Sequence, residues 1–72
     1  MYTIMVGDAF LFHEGYTDLY MCSPYKMELE PSERAIKEKI EHLRGLNDNY
    51  FYNPDVKKQM RIVKIDLKIT EL

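Results

Sequence analysis

Few side chains in this sequence could do chemistry: one cysteine, Cys22, two histidines, His13 and His42, and twelve carboxylates set against ten cations. Cys22 and His13 fall where two neighbouring β runs would carry them, so a thiol–imidazole pair is the first arrangement to weigh. Nucleophilic catalysis through such a pair needs a third group to orient the base, an oxyanion site and a pocket. A chain of 72 residues folded as one sheet and one helix leaves little room for that pocket. Cys22 therefore reads as a small buried hydrophobe, and no enzyme activity is expected. His42 falls on the outer side of a helix near its C-terminus, where positive charge suits the dipole. No metal or cofactor is expected, because Cys22, His13 and His42 are the only soft ligands. The three glycines, all read as turns or caps, leave no phosphate-cradling loop.

The carboxylates are distributed unevenly. Residues 1–30 hold Asp8, Glu14, Asp18, Glu28 and Glu30 against Lys26 alone, whereas residues 31–72 carry an excess of bases. Phosphate contacts need cations, so the first half argues against direct nucleic-acid binding. Two readings of these acids stand side by side. One is a solvated face that keeps the chain soluble. The other is an acidic patch that engages a basic protein surface, such as one built to hold DNA.

The third feature is "NDNYFYNPDVKK", residues 47–58, in which Tyr50, Phe51 and Tyr52 sit among turn-forming residues. A loop of about 12 residues is long for a small domain, and long loops are often functional. Neighbours in extended chain alternate sides, so the three cannot all point inward. The triplet is either a lid that completes the core or the anchor of a contact surface. The lid role suits Phe51, and the surface role suits at least one tyrosine, since exposed Tyr offers large contact area at low entropic cost.

The elements that must position these residues are short. "YTIMV-GD-AFLFH" reads as two β runs around a Gly7-Asp8 type II′ turn, with Glu14-Gly15 as the next turn. "YTDLYMC" reads as a third strand ended by Ser23-Pro24, and "YKMELE" as a short fourth. A helix is expected over 31–44, with Pro31 at its first position, Ile36, Ile40 and Leu43 as its apolar stripe, and Gly45 as a left-handed cap. From residue 59 onward, Val63, Ile65, Leu67 and Ile69 alternate with polar residues, which predicts a strand whose core face carries those four. Met60 and Ile62 then fall on the other face. The sum is a single α+β domain over 1–72, a small antiparallel sheet of 3–5 strands with one helix on one face, in the order β-β-β-(β)-α-β. At this size stability is marginal and one cysteine allows no internal disulfide, so a homodimer is the expected extra support. The start, "MYTIMVGDAF", lacks the charge and apolar run of a signal peptide, and no segment is long enough for a membrane span, so a reducing cytoplasm is expected.

Residues 8–12, "DAFLF", are similar to bacterial sliding-clamp-binding peptides at Leu11 and Phe12, while Asp8, Ala9 and Phe10 depart from that pattern. In size and composition, short, acidic and rich in Tyr and Lys, the chain resembles the small takeover proteins of phages that infect low-GC bacteria. That resemblance implies a stoichiometric inhibitor, working in the host cytoplasm on a DNA replication protein such as the sliding clamp. The expected contact residues are Asp8, Glu14, Asp18, Glu28, Glu30, Tyr50, Phe51 and Tyr52. The alternative is a structural or assembly protein that acts through its own homo-oligomer.

Overall fold

The computed structural model describes residues 1–66 and shows an α+β fold. The elements are β1 (Tyr2–Val6), β2 (Ala9–Glu14), β3 (Leu19–Ser23), α1 (Glu33–Arg44), a 3-10 turn at Asp48–Tyr50, α2 (Pro54–Lys58) and β4 (Met60–Lys64). The four strands form one antiparallel sheet in the order β3-β2-β1-β4. The β1–β2 turn takes a positive φ of 60° at Gly7, as a type II′ turn requires of its first central residue. The next turn is longer than expected and absorbs Tyr16, Thr17 and Asp18, so β3 starts only at Leu19. Its cause is local: the Glu14 carboxylate accepts the backbone N–H groups of Tyr16 and Thr17, and Asp18 takes φ 57°.

The expected fourth strand at "YKMELE" is reduced to a single bridge between Tyr2 and Glu30. Pro31 lies outside α1. Ser32 caps the helix, its hydroxyl accepting the Ala35 N–H at 3.1 Å. Gly45 ends the helix at φ −83°, a right-handed conformation instead of the expected left-handed one, and its N–H bonds back to Glu41 and His42.

One face of the sheet holds the core. Ile4, Leu11 and Met60 pack against Ile36, Ile40 and Leu43 of α1, joined by Phe51 and Val56 from the segment between α1 and β4. The expected facing of β4 is reversed. Register places Met60 opposite Val6 and Ile62 opposite Ile4, on the α1 side, while Val63 faces away opposite Thr3. The expected strand beyond Asp66, with Leu67 and Ile69, lies outside the described residues.

Candidate functional site

The face of the sheet turned away from α1 lies outside the main core. Strand alternation and register put Met5, Phe10, Phe12, Leu19, Met21 and Val63 on it, all half-buried. Among the described residues only Thr3 on this face is fully buried. Residues 24–30 run diagonally over it as a strap. The strap leaves Ser23 at the end of β3, and the Lys26 ammonium sits 5.2 Å from the centre of the Phe12 ring. Glu28 then settles over the gap between β1 and β2. The Thr3 hydroxyl donates to the Glu28 carbonyl at 2.8 Å, and the His13 backbone N–H donates to Glu28 Oε2 at 2.7 Å. The other Glu28 oxygen reaches through to α1, where Lys39 Nζ lies 2.9 Å from it and 3.4 Å from Glu30.

This ion cluster is partly desolvated. Burial alone would raise the Glu28 carboxyl, but the His13 N–H and Lys39 outweigh it and hold the group below its usual range. Burial likewise pulls Lys39 down, and its two carboxylates more than reverse that. Glu28 and Glu30 are thus tied into the fold, and the structure removes them from a free acidic patch.

The remaining acids do not converge either. Asp8 lies in the β1–β2 turn, whereas Glu14 and Asp18 lie at the opposite end of β2, roughly 20 Å away for six strand residues. Asp18 faces His13, with Oδ1 2.6 Å from Nε2. The Thr17 hydroxyl and the N–H groups of Tyr16 and Thr17 lower the Glu14 carboxyl to about 2. These contacts make Glu14 a turn-forming group.

The aromatic triplet divides. Phe51 is 4% exposed and packs on Tyr20 with ring centres 5.6 Å apart, so it is removed from the expected contact residues. Tyr50 and Tyr52 are 39% and 51% exposed. The Tyr52 N–H donates to the Tyr20 carbonyl, which seats the loop along the outer edge of β3. Asn53 caps α2 through the Asp55 N–H, and Lys57 reaches the Leu46 carbonyl, so the segment is built of short helices closed over the core.

His13 and Cys22 share the α1-side face without meeting. His13 stands opposite Tyr20 and Cys22 opposite Leu11, a diagonal relation of about 7–8 Å. Burial raises the Cys22 thiol above its usual value, only partly offset by a hydrogen bond with Tyr52. A thiol so placed is a poorer nucleophile than a free one. Among the described residues there is no surface pocket, no cluster of three metal-ligating side chains, and no helix long and apolar enough to cross a membrane.

The strap is what the sequence reading missed. The signal available for the face was the run "AFLF", apolar at consecutive positions and so apolar on both sides of β2. Set against family models, curated proteins and solved structures, the chain finds no match in any of the three comparisons.

Proposed function

We propose that this chain is a protein-binding module that acts without catalysis and docks through the sheet face opposite α1. The observation that supports this reading is the half-buried set Met5, Phe10, Phe12, Leu19, Met21 and Val63 on a sheet whose other face is packed. Contiguous apolar surface of this kind marks interaction sites in soluble proteins. Methionine adds adaptability, because its unbranched side chain repacks against varied partners. The resemblance to phage takeover proteins supplies the partner class: a host protein that handles DNA, such as the sliding clamp, blocked by occupancy. Tyr50 and Tyr52 form a separate exposed pair that would extend the contact along the β3 edge.

The test is capture from nuclease-treated bacterial lysate at low and moderate salt, with the native chain and with Met5→Ser/Phe10→Ser. Docking through the open face predicts capture that persists as salt rises and fails in the double variant. Capture released by salt and unaffected by the variant would overturn it in favour of the acidic residues. The same face favours a second reading, a homo-oligomer that stacks two sheets. A mass in solution that stays monomeric at every concentration removes that reading.

A further inference from the structure

The β1–β2 hairpin stops short of its own register. Its ladder holds Val6 against Ala9 and Met5 against Phe10, and no further. Continued, it would set Ile4 against Leu11, Thr3 against Phe12 and Tyr2 against His13, all within strands long enough to pair. Antiparallel pairs alternate between exchanging both backbone bonds and exchanging none. Met1 and Ile65 exchange both across β1–β4. Thr3 and Met5 therefore turn their backbone groups toward β4, and Tyr2 and Ile4 turn theirs toward β2.

Three of the groups that a closed hairpin would pair at Tyr2 and His13 are occupied by the strap. The Tyr2 N–H donates to the Glu30 carbonyl at 2.9 Å, and the Glu30 N–H donates to Tyr2 at 2.8 Å. The His13 N–H is held by the Glu28 carboxylate, and the Thr3 hydroxyl by the Glu28 carbonyl. A closed ladder would replace these four bonds with two at Tyr2–His13 and complete the pairing at Ile4–Leu11 that already flanks the Met5–Phe10 pair. The open fork also makes the Lys39 contacts to Glu28 and Glu30 and the Lys26 contact with the Phe12 ring.

We propose that residues 24–30 are a displaceable strap. The fork has a second, closed register with Tyr2 on His13, and the Lys39 ion pairs set the balance toward the open one. Displacement lifts Lys26 from Phe12 and Glu28 from Thr3, which clears the face behind the sheet. A partner that binds the cleared face shifts the population toward the closed hairpin. That last consequence rests on the docking reading above, whereas the exchange of registers does not.

Amide hydrogen exchange on the native chain tests the exchange without any partner. In the closed register the Glu30 N–H loses its acceptor, while the N–H groups of Tyr2 and His13 trade one acceptor for another. Glu30 is expected to exchange at least about tenfold faster than Tyr2 and His13, and Lys39→Met to raise its rate several-fold further. Equal rates at the three amides would mean simple fraying and would overturn the proposal. So would Glu30 protection as strong as that of the α1 interior. A trap gives a second measurement: Thr3→Cys and Phe12→Cys, in a Cys22→Ser chain, would form a non-hydrogen-bonded pair at about 4.5 Å between Cα atoms, within disulfide reach. Oxidation should close that bond in the folded chain, and a folded chain that stays reduced counts against the second register. Failure of the lysate capture alone would leave these readouts untouched.

Discussion

The two faces of the sheet each carry a row of large apolar side chains, and the fold treats them differently. Toward α1, Ile4, Leu11 and Met60 fall to 6% exposure or less under Ile36, Ile40, Leu43 and Phe51. Behind, Met5, Phe10, Phe12, Leu19, Met21 and Val63 stay half-buried, and Thr3, held by the strap, is fully buried. Composition does not separate the two faces. Coverage does: one helix and one loop finish the first face, whereas a strap of seven residues crosses the second. Stability should therefore concentrate on the first face and interaction on the second.

A phenylalanine on each face gives the strongest test. Phe51→Ala empties a closed site and should cost about 3–5 kcal/mol, enough to unfold much of a domain of this size. Phe10→Ala removes a side chain that water already reaches and should cost only about 1 kcal/mol. Urea denaturation followed by circular dichroism measures both. Equal losses would mean that the far face is covered in solution, for example by a second copy. Thr3→Val asks the same of the strap. The variant keeps shape but leaves the Glu28 carbonyl without its donor in a buried place, at a cost of about 1–3 kcal/mol. No measurable change would show that the strap already spends much of its time away from Thr3.

Much of the near face was legible from sequence. Ile36, Ile40 and Leu43 repeat at helical spacing, and the structure buries all three. The triplet was legible as an alternation whose sense stayed open, and the structure turns Phe51 inward and its two neighbours outward. The facing of β4 was not, because "MRIVKI" is apolar at both parities and alternation alone cannot choose between them. Pairing with β1 decides it, by placing Ile62 against Ile4. The acidic half misled for a related reason. Glu14, Glu28 and Glu30 look alike in the sequence, yet one closes a turn and two hold a lysine from α1, and only tertiary contacts distinguish these roles. The fork between β1 and β2 left no trace, since both strands read as long enough to pair throughout.

A smaller effect belongs to the tyrosines at the β3 edge. Tyr50→Ala/Tyr52→Ala should shift stability by no more than about 0.5 kcal/mol per site, because both side chains are substantially exposed. Thermal melting beside Phe51→Ala separates lid from surface within three consecutive residues. Unfolding of the double tyrosine variant would make the whole triplet a lid and leave the β3 edge without its proposed contact.

The smallest expected change is a pH dependence, and it distinguishes two carboxylates that hold backbone on opposite terms. Glu14 is solvent-facing and held at about 2 by the Thr17 hydroxyl and the N–H groups of Tyr16 and Thr17, against an ordinary value of 4.5. A depressed carboxyl stabilises the fold above its unfolded value and loses that contribution as pH falls through the folded one. Stability should accordingly decline between pH 4.5 and about 2. Glu28 is also lowered, despite burial that opposes it, and its contribution is lost on the same falling side. Glu14→Gln cannot titrate and keeps an oxygen for only one of the turn's N–H groups, so it should lower stability near neutrality toward the acid value of the native chain and flatten the acid slope. Urea midpoints at neutral and acid pH, with and without the substitution, read the difference. A slope that persists in Glu14→Gln and disappears in Glu28→Gln would assign the acid sensitivity to Glu28, and the strap would then let go as pH falls.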